Sequence, residues 1–150
     1  MRDKIIRIYW NDPILFDEAL QSELTKTQGL YYITRKFGTK ETSLYLGIAR
    51  YHNTIKNRLE SHRDKWLYEY RGQIYVRVGH IAYPKNIDTY EKACIIEHAE
   101  SAILYEPAHA NLFPENVSKR NSYSYEELYR VENEGNIYQL KSQIRMQEHE

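Results

Sequence analysis

The sequence predicts one mixed α/β domain, and three patterns carry that prediction. Apolar residues alternate with polar ones at Ile6, Ile8 and Trp10, and again at Ile74, Val76 and Val78, the period of half-buried strands. They recur at helical spacing over 54–68 and over 89–106. Between these stretches, Gly29 to Ile33 and Tyr45 to Ala49 read as two strands of a hairpin that reverses around Gly38. At 150 residues the chain is about one domain, long enough for a core without a metal or disulfide staple.

Taken in order, the N-terminal residues up to Trp10 hold no apolar run of signal or membrane-span length, so a soluble protein of cytoplasmic type is expected. Asp12 as cap acceptor and Pro13 at the first position predict a helix that buries Phe16, Ala19, Leu20 and Leu24. Pairing symmetric about Gly38 sets Arg35 opposite Glu41 and Tyr31 directly across from Tyr45. Two phenols would then share one spot, though strands of a chain with 15 tyrosines also pair them by chance. The helix from Thr54 to Tyr68 turns Ile55, Leu59 and Trp66 inward, with Arg58 and His62 one turn apart along the edge of that stripe. A histidine there is either a hydrogen-bonded structural group or a catalytic one. Gly72 and a strand ending near Pro84 follow.

The helix from Thr89 to Glu106 packs Ala93, Ile96, Ile103 and Leu104 and contains the lone cysteine, Cys94, read as a small buried side chain. Glu100 falls on the same apolar face, while Glu97 sits nearer the polar boundary. Burying a carboxylate costs roughly several kcal/mol unless a cation, a metal or a proton compensates it. A structural salt bridge, for example to Arg58, and a functional role both remain open. Pro107 ends the helix, Asn111 lies in the loop that follows, and the tail reads as a peripheral hairpin of 128–131 with 137–140 around Asn133 to Asn136, or as a helix from Tyr125. The Asn116-Val117-Ser118 sequon has no meaning in a cytoplasmic protein.

Lys plus Arg and Asp plus Glu number 21 each, which argues against a domain that holds nucleic acid by overall charge. Local surplus exists: Arg50, Lys56, Arg58, Arg63 and Lys65 outnumber Glu60 and Asp64, and Lys119 and Arg120 form a second basic site. Arg50, Lys56, Arg63, Lys65, Lys119 and Arg120 are the candidate nucleic-acid contacts, with a solvated helix face as the alternative for the first group.

Gly29-Leu30-Tyr31, Tyr45-Leu46-Gly47, a helical Arg58 followed by His62, Glu100, and a Pro-then-Asn ending at Pro107 and Asn111 together resemble the GIY-YIG nuclease family, from about residue 29 to residue 111. Thirteen residues separate the two tripeptides, slightly more than is common, and about three extra residues around Tyr51-His52-Asn53 precede the arginine helix; both differences fall in loops, where insertions are cheap. The resemblance implies a small α/β (α+β) fold, with a central, mainly antiparallel sheet of three strands flanked by helices. Its core would span about 27–114, with 1–26 and 115–150 as N- and C-terminal extensions of one domain.

The resemblance also implies a metal-dependent endonuclease acting on DNA, or on RNA or branched nucleic acid. Mg²⁺ or Mn²⁺ would sit on Glu100, since such hard cations take one or two carboxylates plus waters and substrate oxygens. Arg58 would grip the non-bridging phosphate oxygens. Tyr31 would be the general base, Tyr45 would orient the water or phosphate, His62 would assist proton transfer, and Asn111 would fix the site. A free phenol has a pKa near 10, so the base needs a cation or a neighbour that favours its phenolate. The alternative is a non-catalytic nucleic-acid-binding or assembly module on the same fold, in keeping with the zero net charge.

Overall fold

The computed structural model describes residues 4–116 and 129–145. Its strands are β1 (Lys4–Trp10), β2 (Ile14–Leu15), β3 (Gly29–Phe37), β4 (Lys40–Ala49), β5 (Gln73–Ile81), β6 (Tyr129–Gly135) and β7 (Gln143–Arg145). Its α-helices are α1 (Phe16–Ala19), α2 (Ile55–Lys65) and α3 (Thr89–Tyr105). All seven strands belong to one sheet of order β4-β3-β5-β1-β6-β7, with β2 also on β5.

This corrects the expectation of a small three-stranded antiparallel sheet: the sheet is mixed and curled, close to half a barrel. β1 lies between β5, antiparallel, and β6, parallel, so both supposed extensions complete the central sheet. Trp10 is fully buried there, its indole donating to Asn133 Oδ1 at 2.9 Å, and Val131, Leu140 and Ile144 join the same core. Local periodicity marks a strand but not its partner, which is why β1 and the tail strands were assigned to extensions rather than to the central sheet.

The helix expected after Pro13 shrinks to the single turn of α1. Ile14 and Leu15 instead pair with Val76 and Tyr75 of β5, so sheet hydrogen bonds override the capping signal. The residues that were to be buried by a long helix divide: Ala19 and Leu20 are in the core, while Leu24 lies half-buried in a 3₁₀ turn. Cys94 is also only half-buried. In the tail the hairpin exists, but its second strand is Gln143–Arg145, with 137–140 in the connection.

α2 and α3 form where expected. Thr54 caps α2 by accepting from Asn57 N–H at 3.1 Å, and Asp88 caps α3 by accepting from Glu91 N–H at 2.8 Å. The two helices take opposite faces of the sheet. Leu30, Tyr32 and Leu46 point into the core covered by α3, and Tyr31, Ile33 and Ala49 into the core covered by α2. Consecutive Tyr31 and Tyr32 therefore serve different cores. No helix among the described residues is long and apolar enough to cross a membrane.

Candidate active site

The site is built from the β3–β4 hairpin outward. The turn is two residues, Gly38 and Thr39, with Phe37 opposite Lys40 and Gly38 at φ 67° in the first central position, where a type II′ turn takes glycine. Lys36, not Arg35, therefore faces Glu41. The register then shifts between Ile33 and Thr34: Leu44 is an extra residue on β4, a bulge. Tyr31 ends up opposite Gly47 and Tyr45 opposite Ile33, which corrects the expected Tyr31–Tyr45 pair yet leaves both phenols on one face. They stack obliquely, with centroids 6.1 Å apart.

Gly47 explains the glycine of Tyr45-Leu46-Gly47. A Cβ there would run into the ring and hydroxyl of Tyr31, so only glycine lets that ring lie across β4. α2 then supplies His62, whose Nε2 lies 2.7 Å from Tyr31 Oη. The imidazole also sits against Tyr45, with centroids 4.5 Å apart, and Trp66 closes the aromatic group against both.

These side chains border a cleft of about 470 Å³ lined by Tyr45, Arg58, His62, Lys65, Glu100 and Asn116 among others. The cleft runs over the outer edge of β4, where the helices of the two faces converge. Glu100 reaches it from α3 and is only 4% exposed. Tyr31 has no exposed surface and stands behind Tyr45 rather than in the cleft wall.

The electrostatics show that the four expected groups act on one another. Burial pushes the Tyr31 phenol far above the ordinary tyrosine range; the charge of Tyr45 adds to this and Arg58 opposes it by charge and hydrogen bonding. Tyr45 is raised by burial and then by the Glu100 carboxylate, and lowered by Arg58 and by a hydrogen bond from Tyr31. Burial disfavours the Arg58 guanidinium, but the two phenols outweigh it and raise its pKa. Tyr31, Tyr45, Arg58 and Glu100 are thus gathered within electrostatic reach of each other.

The His62 imidazole is pushed down to about 4 by burial and by the neighbouring Arg58 and Lys65. The folded protein keeps it neutral while the unfolded chain, titrating near 6.5, takes up a proton. Stability present above pH 6.5 is therefore lost as the pH falls toward about 4. Urea midpoints should decline across that window, and less steeply in His62→Gln; equal slopes would refute this assignment.

Glu97 forms an ion pair with Arg50, one turn before Glu100, and so is engaged at the rim. Arg50 and Lys65 line the cleft. Lys56 and Arg63 lie on α2 outside that lining, Arg63 pairing with Asp64 at 3.1 Å. Lys119 and Arg120 lie outside the described residues. Asn111 is exposed in its loop and does not line the cleft.

Asn116 does, and sequence reasoning passed over it as a sequon. Its side-chain Oδ1 accepts from Leu46 N–H at 2.8 Å and its Nδ2 donates to Leu46 C=O at 2.7 Å, the two bonds a neighbouring strand would make. Glu115 N–H adds a bond to Leu44 C=O at 3.2 Å. The available signal was Pro114 two residues before an asparagine, directly after apolar Leu112-Phe113, a second Pro-then-Asn ending nearer the end of the loop.

Among the described residues no group of three or more His, Cys, Asp and Glu forms a metal cage. The carboxylates in the cleft lining are Glu100 and Glu115, the latter accepting from the Tyr70 hydroxyl at 2.5 Å. One buried carboxylate at an open cleft fits a hard cation that keeps its waters and takes the rest of its ligands from a phosphate. Comparison of the chain with family models, curated proteins and solved structures finds no match.

Proposed function

We propose that this protein is a divalent-metal-dependent endonuclease that hydrolyses DNA phosphodiester bonds by chemistry of the GIY-YIG kind. The observation that supports this reading is the convergence of Tyr31, Tyr45, Arg58 and Glu100, from two strands and two helices, around one open cleft. Mg²⁺ or Mn²⁺ held by Glu100 would supply Lewis-acid neutralisation of the phosphate. Arg58 holds the non-bridging oxygens with its guanidinium fork, and Arg50 and Lys65 draw the backbone toward the cleft.

The general base is assigned to Tyr45 rather than Tyr31, because Tyr45 lines the cleft and Tyr31 is fully enclosed. The Tyr45 phenolate takes a proton from water as the water oxygen bonds to phosphorus, the bond to the leaving oxygen breaks, and that oxygen takes a proton from solvent water. RNA or branched substrates would use the same step.

With supercoiled plasmid and Mg²⁺ or Mn²⁺, the protein should produce nicked circles, and Glu100→Gln should not. Absence of nicking with either metal, or equal nicking by Glu100→Gln, refutes the proposal. One observation favours a non-catalytic nucleic-acid-binding module instead: both phenols are held above their ordinary range. Salt-sensitive DNA binding that needs no metal and survives Glu100→Gln, without nicking, would support that second reading.

A further inference from the structure

Trp66 belongs to none of the groups that the nuclease reading uses, yet its indole ends on one of them. Nε1 lies 2.9 Å from His62 Nδ1. An indole N–H only donates, so Nδ1 must present its lone pair. Burial and the adjacent Arg58 and Lys65 keep the imidazole neutral at pH 7. Its single proton is therefore on Nε2, which faces Tyr31 Oη at 2.7 Å and donates to it. Tyr31, an acceptor on that side, has its own hydroxyl proton to give, and the ring stacked beside it is Tyr45, whose pKa hydrogen bonding from Tyr31 and from Arg58 lowers.

We propose that Trp66 is a positioning residue that locks His62 in the Nε2–H tautomer and so points the chain Trp66, His62, Tyr31 in one direction, every donor aimed at the Tyr45 oxygen. In this arrangement His62 is a hydrogen-bond donor and not a proton acceptor, which replaces the proton-transfer role expected for it. A phenolate oxygen fed by such a chain is favoured over one whose neighbours are free to reorient. That the Tyr45 oxygen is the group served rests on the nuclease reading; the tautomer does not.

The test is a long-range ¹H–¹⁵N correlation spectrum of the full chain, labelled at histidine, at pH 7, with His62 assigned by its loss in His62→Gln. The expected pattern is a neutral ring with Nε2 protonated and Nδ1 bare. In Trp66→Phe that single pattern should give way to a mixture of tautomers. A protonated Nδ1 in the parent protein, or a Trp66→Phe spectrum unchanged at His62, overturns the proposal. The parent spectrum alone decides the tautomer if Trp66→Phe does not fold. A parent protein that shows the Nε2–H pattern but nicks no plasmid overturns the nuclease reading and leaves the tautomer lock supported.

Discussion

Gly47→Ala is expected to destabilise the fold by about 3 kcal/mol or more, toward the upper end of what overpacking a core costs. The added methyl group would occupy the space of the Tyr31 ring and hydroxyl. Tyr31 has no room to yield: it is fully enclosed, Tyr45 stacks beside it, and His62 holds its hydroxyl. The backbone of β4 must move instead, and β4 carries Tyr45. Urea unfolding should show a lower midpoint at unchanged slope. Combining Gly47→Ala with Tyr31→Ala should cost less than the sum of the two single changes, because the second removes the ring that the first strikes. A single Gly47→Ala protein within about 0.5 kcal/mol of the parent would show that the ring does not lie across Gly47.

Tyr45→Phe is expected to lower the nicking rate by roughly 10²–10⁴-fold, the range for loss of a positioned general base. The change removes one oxygen that faces the cleft, while the ring keeps its contacts with Tyr31, His62 and Trp66. The unfolding midpoint should therefore move little. Nicking by Tyr45→Phe at the parent rate would return the base role to Tyr31 or remove it from the tyrosines. The electrostatics bear on the metal as well. Glu100 is the largest charge raising the Tyr45 pKa, so a cation beside that carboxylate would relieve the phenol that lines the cleft.

Local chemistry was legible in the sequence and long-range pairing was not. Thr54 and Asp88 announce their helices because a cap is a contact over three residues. The stripes that place His62 and Glu100 inward follow from helical periodicity alone, and both residues are buried. Register was harder. A symmetric reading around Gly38 placed Tyr31 against Tyr45, and no residue type marks Leu44 as the inserted one, because its burial resembles that of any strand residue. The fate of 13–24 depended on whether β5 offered hydrogen bonds to Ile14 and Leu15, which lies some sixty residues away in the chain.

Position on the apolar face favoured Glu100 over Glu97, and in the structure Glu100 lines the cleft while Glu97 forms an ion pair with Arg50. Asn111 and Asn116 show the opposite case. Proximity to Pro107 favoured the first, whereas only the second meets an open strand edge with its donor and acceptor spaced to match. Trp66 was read as an apolar core residue. Its ring is only half-buried against that core and lines the cleft, and its hydrogen bond to His62 comes from a single polar atom that hydrophobic patterning ignores.

That carboxamide on the border of β4 also bears on assembly. A bare outermost strand invites a foreign chain to zip alongside it, and here such a guest would lie beside the cleft that Asn116 helps to line. One asparagine uses up the two Leu46 groups to which the guest would have to bind first, while occupying far less width than a strand. The border is thereby blocked at Leu46 while the cleft beside it stays open.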